Sequence, residues 1–325
     1  MRRLPLVIAC ASLAVLAACS DNSPTSAPTA PEDGSSQLAP PNSRSHGLPI
    51  VRTARRHRID PQKIRDRIRF NIEFRYLVPP TASAEAAFDL ARDKWQGIII
   101  KDVEAVEGLL PQSLCTGGPD FEGTIDDVLI DVLLIPIDGP GNILGAAGPC
   151  FVRTSDNLPV SGVMIFDTED LAFLESYELL DEVIVHEMGH VLGFGTIWDY
   201  ERTLLAGAGT GSPTFTGRLA NVFYKALGGR GALPVEGEYG PGTADSHWDE
   251  ETFDNELMTG FLNLGENPLS VITAASMRDL GYGAIPIGEK YRLPAPAGAA
   301  ALRTQGEGIP IAKQEQLYTP KAAVE

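Results

Sequence analysis

Five histidines occur in the 325 residues, and two of them stand four apart in His186-Glu187-Met188-Gly189-His190. On a helix this spacing puts both imidazoles on one face, one turn apart, where two nitrogens can reach a single metal ion. Glu187 adjoins the first of them, and its carboxylate can take a proton from a water on that metal. Gly193 follows closely and can end the helix and turn the chain back. The residue three positions after it, Thr196, offers no neutral nitrogen, so a third ligand has to come from further along. His247, in Ser246-His247-Trp248-Asp249-Glu250, is the one histidine downstream. The carboxylates Glu201, Glu250, Glu251 and Glu256 are the alternatives and would complete a site of two histidines and a glutamate. His46 and His57 fall in a stretch without hydrophobic periodicity and read as solvated linker residues.

The elements that must hold these residues can be read from periodicity. A helix over 178–192 carries the histidine pair, with Glu178, Asp181 and Glu182 near its positive end. Phe70, Ile72, Phe74 and Tyr76 alternate with charged or polar residues, as in a half-buried strand. After Pro79-Pro80, Ser83 can cap a helix with the apolar stripe Ala84, Ala87, Phe88, Ala91, Trp95 and Ile98. The runs 128–135 and 160–166 read as strands, and Asp131 is the one charge in the first of them. The glycine-rich stretch 139–148 reads as loops. Short helices are expected at 216–227 and 269–280, the second stopped by Gly281. Asp167, Glu169 and Asp170 form an acidic turn that could take calcium or simply be solvated. Trp198 and Trp248 are expected to wall a cleft or pack the C-terminal part, and Met277 to lie in the core.

The set HEMGHVLGF, a long insertion from Thr196 to Ser246, SHW and then NELMTG resembles the leishmanolysin-type metzincin zinc peptidases. The likeness extends more weakly from about Phe70 to Tyr291. It implies that His186, His190 and His247 bind one catalytic Zn2+, that Glu187 is the general base, and that Met258 forms the turn beneath the metal. It implies an α+β metzincin-like fold: a mixed β-sheet with the active-site helix, then an irregular C-terminal subdomain carrying His247 and Met258. The expected activity is zinc-dependent hydrolysis of peptide bonds in protein or peptide substrates, by a water on zinc activated by Glu187. Histidine protonation competes with zinc, so activity is expected to fall below roughly pH 6. The sequence departs from the trypanosomatid members, since no Cys lies between Cys19 and Cys115 or after Cys150. A cysteine-based latency switch is therefore not supported.

The first residues fit export. Arg2 and Arg3 precede the apolar run Leu4 to Ala18, too short for a comfortable membrane span. The end of that run, Leu16-Ala17-Ala18-Cys19, resembles a bacterial lipobox, which implies that Cys19 becomes the lipidated N-terminus. Ser20 after it favours the outer membrane or cell surface. Cys10 leaves with the signal, and Cys115 and Cys150 most simply form a disulfide in an oxidising compartment. The expected organisation is a signal over 1–18, a disordered tether over 19–60, an N-terminal catalytic subdomain over 61–195, a C-terminal subdomain over 196–291, and a loosely packed tail over 292–325.

Charge separates these parts. The chain has 43 acidic and 26 basic side chains, a formal −17. Residues 41–80 hold ten Lys and Arg against three acids, whereas residues 81–325 hold 37 acids against 14 bases. The basic collar, Arg52, Arg55, Arg56, Arg58, Lys63, Arg65, Arg67 and Arg69, could touch lipid phosphate, cover an acidic surface or be solvated. The acidic body argues against nucleic acid as a partner. A monomer tethered to the membrane through its N-terminal lipid is expected. Two other readings remain open: a non-catalytic surface lipoprotein that binds through the same fold, and a self-processing role with 52–69 as a pro-region.

Overall fold

In the computed structural model the described residues are 50–51, 69–141, 143–200, 203–294, 309–311 and 315–325. The expected signal, Cys19, His46, His57, Glu201, and the basic collar apart from Arg69 lie outside them.

The elements run β1 (Ile50–Val51), β2 (Ile72–Tyr76), α1 (Ala82–Ile98), β3 (Val106–Leu110), α2 (Ser113–Thr116), β4 (Phe121–Ile125), β5 (Val128–Ile135), β6 (Gly145–Arg153) and β7 (Pro159–Asp167). Then come α3 (Thr168–Ser176), α4 (Leu180–Val191), β8 (Leu205–Ala206), β9 (Thr214–Phe215), α5 (Arg218–Ala226), β10 (Leu233–Pro234), α6 (Glu250–Phe253), α7 (Val271–Leu280), β11 (Glu315–Leu317) and β12 (Ala322–Val324). The architecture is α+β. Its central seven-stranded sheet has the order β1-β12-β6-β7-β5-β2, with β11 also on β6. The pairings in it are parallel except β6 with β7.

Why β5 is apolar on both sides follows from what covers the sheet. Val128, Ile130, Val132 and Leu134 face a core shared with α1 and α4, while Leu129 and Leu133 face a second cluster with Val106, Leu110 and Ile125 of the β3–β4 hairpin. A strand buried on both faces has no polar face to show. Its exception, Asp131, is explained by its neighbour in register, Arg75 of β2. The guanidinium donates to both carboxylate oxygens at 2.7 Å, a bidentate pair. Cys115 and Cys150 are joined as a disulfide with Cα atoms 5.6 Å apart, tying α2 to β6 beside that second cluster.

Helix α1 buries the stripe read from sequence, Ala84, Ala87, Phe88, Ala91, Trp95 and Ile98, though Thr81 rather than Ser83 caps it. The Trp95 indole donates to Val185 O of α4 at 2.9 Å and so ties the two helices together. Helix α4 begins at Leu180, because Glu178 just before it has φ +60. Helices α5 and α7 fall within the expected spans, and Gly281 ends α7 in the left-handed region.

Two expectations are corrected. Residues 139–148 are not all loop, since β6 starts at Gly145. Its small residues permit tight neighbours: a Cβ on Gly148 would lie 2.3 Å from Tyr318 O. Nor is 292–325 a loose tail throughout. β11 and β12 extend the central sheet along β6, and Ala322 and Val324 are buried. The short Ala-rich strand after Pro320 has no local signature, and non-local pairing is what makes it a strand.

Candidate metal centre

Helix α4 delivers the first two imidazoles, and the turns after it bring the third. Gly193 leaves the helix with φ +103, and Thr196, in place of a nearby ligand, donates its hydroxyl to His190 O at 2.7 Å. Gly195 has φ +73, and a Cβ there would lie 2.2 Å from Ser246 O. Only glycine therefore lets the strand of chain that carries His247 lie against the helix exit.

The three rings are organised alike. His186 Nδ1 lies 2.7 Å from Leu257 O, His190 Nδ1 2.9 Å from Phe194 O, and His247 Nδ1 3.1 Å from Thr243 O. A carbonyl only accepts, so each Nδ1 carries the proton and each neutral ring presents an Nε2 lone pair. The Nε2 atoms lie 3.0 Å (His190 to His186), 3.0 Å (His190 to His247) and 3.2 Å (His186 to His247) apart. Three lone pairs aimed at one point repel unless a cation lies among them. Tetrahedral ligation at ordinary Zn–N lengths would set such nitrogens about 3.3 Å apart, so the donor set fits a metal ion. The carbonyls behind each Nδ1 fix tautomer and ring orientation, as metal-ligating histidines require. All three histidines and Glu187 are 0% exposed.

Met258 lies beneath the pair. A Cβ on Gly189, between the two helix histidines, would come 2.9 Å from Met258 Cε and 2.9 Å from Trp95 Cζ2. Its turn is held by Glu256, a buried carboxyl that accepts from Met258 N–H at 2.6 Å and Ser270 N–H at 3.0 Å. Burial pushes this carboxyl upward, against donors that favour its charged form. Sequence reasoning weighed Glu256 only as a ligand. Its role as the anchor of the turn depends on Ser270 and Thr273, whose arrival no spacing announces.

The other candidate carboxylates among the described residues, Glu250, Glu251 and Glu256, do not join the triad. Among the described residues, the sets whose donor atoms lie within 4.8 Å of one another are His186, His190 and His247, and a second set of Asp102, Asp126 and Asp127. Asp127 is engaged by the N–H groups of Asn71 and Val103, both at 2.7 Å. Burial pushes the Glu250 carboxyl up to about 7. Asp167 of the acidic turn accepts from the backbone of Ile137, Asp138, Gly139 and Glu169 and is a capping group. Trp198 and Trp248 stack at 5.2 Å, fully buried, and pack the lower part with Phe194 and Phe215.

No protein-family model matches the chain, and neither does any curated protein sequence. No helix among the described residues is long and apolar enough to cross a membrane.

Proposed function

We propose that the protein is a zinc-dependent endopeptidase of metzincin-like fold, acting on protein or peptide substrates. One observation carries the reading: three buried imidazoles converge through Nε2 with Glu187 adjoining the first. When bound, zinc supplies a Lewis acid that polarises a peptide carbonyl and makes a water acidic near about pH 7. The chain's own residues do the rest. His186, His190 and His247 would hold the ion through Nε2, their rings oriented by the Nδ1–H bonds to backbone carbonyls. Glu187 takes the proton of the attacking water and passes it to the leaving amine nitrogen. Met258 and Trp95 pack against Gly189, between the two helix ligands, and brace the helix there.

The same proposal places the protein outside the cytoplasm, anchored by lipid on Cys19 at the outer membrane or cell surface. Its support is the sequence from Arg2 to Ser20.

The test is cleavage of unfolded casein. Activity is expected to stop with a zinc chelator and return with zinc. Glu187→Ala is expected to keep zinc and lose about 10²–10⁴-fold in rate. His247→Ala should lose both zinc and activity. A zinc-loaded native chain that leaves casein intact would overturn the reading.

A further inference from the structure

Leu257 and Met258 share one peptide group, and both of its polar ends are taken. Its carbonyl accepts the Nδ1–H of His186 at 2.7 Å. Its N–H donates to Glu256 Oε2 at 2.6 Å. The opposite oxygen of Glu256 accepts from Ser270 N–H at 3.0 Å and from the Thr273 hydroxyl at 2.5 Å. Thr273 can spare its proton, because its oxygen already accepts the Trp248 indole N–H at 2.8 Å. Trp248 in turn donates its backbone N–H to Met258 O at 2.9 Å, so the network closes on the turn it supports. The Ser270 hydroxyl also bonds to the carboxyl, and every group that reaches it is a donor, the set a carboxylate needs.

We propose that Glu256 is a positioning residue for the metal, orienting and polarising His186 through the Leu257–Met258 peptide. The chain of contacts runs carboxylate, amide, imidazole, ion. Negative charge at the N–H end of an amide raises electron density on its carbonyl, and linked hydrogen bonds strengthen one another. A stronger acceptor behind Nδ1–H makes Nε2 a better electron donor, as partners behind metal-ligating histidines do generally. The three ligands are not equivalent in this respect. Behind Thr243 O, which serves His247, the same peptide's N–H (Ala244) donates to a plain carbonyl, Gly240 O, at 2.9 Å. Purely structural support of the turn would need the bonds but not the charge relay, and the two roles separate by experiment.

The inference rests on the zinc reading for metal affinity, but not for its second measurement. The variant is Glu256→Gln, and the control is Thr273→Val, which removes the other side of the network without touching the Met258 N–H. In metal-free protein, the Nδ1–H proton signal of His186 is expected to move upfield in Glu256→Gln while that of His247 stays. By chelator competition, zinc should bind about tenfold more weakly. Thr273→Val should lower Tm and move neither quantity. The idea is overturned if Glu256→Gln lowers Tm yet leaves the His186 signal and zinc affinity at native values. It is equally overturned if both variants shift them alike. Should the Gln variant not fold, Glu256→Asp takes its place: a shortened carboxylate drawn back from the Met258 N–H should move the His186 signal upfield and leave that of His247, and an unmoved His186 signal overturns the relay. A chain that binds no zinc would sink the peptidase reading and leave the proton measurement to judge this one.

Discussion

From Phe70 to Leu192 the chain buries Ile, Val, Leu and Phe on repeating faces of strands and helices. From Gly193 to Tyr291 the strands are short and buried hydroxyls more frequent, and polar side chains bond largely to backbone N–H and C=O groups. Asp279 of α7 accepts from Leu219 and Ala220 at 2.9 and 2.8 Å and so caps α5, whose own preceding residue, Gly217, has no side chain to do so. Asp245 accepts from Gly209, and Glu236 from Glu238 and Glu250. A segment with few ladders must satisfy its buried amides by side chains. The upper region is thus held chiefly by packing with regular hydrogen bonding, with carboxylates such as Asp127 and Asp167 bracing its loops, and the lower one relies more on polar side chains acting as local struts around an aromatic cluster. The candidate metal site lies where the two meet, with two of its histidines on the packed helix and one on the strutted chain.

Four substitutions can break or sharpen that contrast. The largest effect is expected at the junction. Gly195→Ala sets a Cβ against Ser246 O at a left-handed φ, and should cost about 4–5 kcal/mol and release His247 from the site. Urea unfolding together with zinc content measures both, and a stable, zinc-replete variant would mean that the halves are not locked there. In the packed half, Trp95→Phe removes the bond to Val185 O and leaves a void, at about 2–3 kcal/mol by the same titration. In the strutted half, Asp279→Ala orphans two amides and should cost about 1–2 kcal/mol. If that change is neutral, polar struts do not hold the lower region. The smallest effect is a pH slope. Glu250 has a folded pKa raised from 4.5 to about 7 by burial, so the stability it contributes is present below about pH 4.5 and lost as pH rises through about 7. Glu250→Gln should therefore gain urea midpoint relative to the parent between pH 5 and 8. A pH-independent difference would show that Glu250 is not titrating in the folded chain.

The same contrast explains what could be read in advance. The α1 stripe and the two-sided burial of β5 were legible because packing leaves a period. His186 and His190 were legible as a helical pair, and His247 and Met258 through a motif set. The struts were not. Glu256 and Asp279 look like any surface acid until Ser270, Thr273 and the start of α5 are brought to them. Strands β6 and β12 were missed for a related reason: Gly145, Gly148, Ala322 and Ala323 carry too little side chain to show a pattern; β6 takes its identity from pairing with the next strand, β7, and β12 from β6, far away in sequence.

The pairing of Ile50–Val51 with Ala323–Val324 bears on the order of assembly. A chain made from its N-terminus holds β1 without a neighbour until β12 exists, and β12 itself needs β6 to lie on. Contacts so distant in sequence slow folding, because a large loop must close before they repay its entropy. Through that interval the outer edge of β6 presents unpaired backbone groups, ready to add a strand from another chain. The arrival of β12, made long after β6, therefore ends the interval in which that edge is exposed to aggregation.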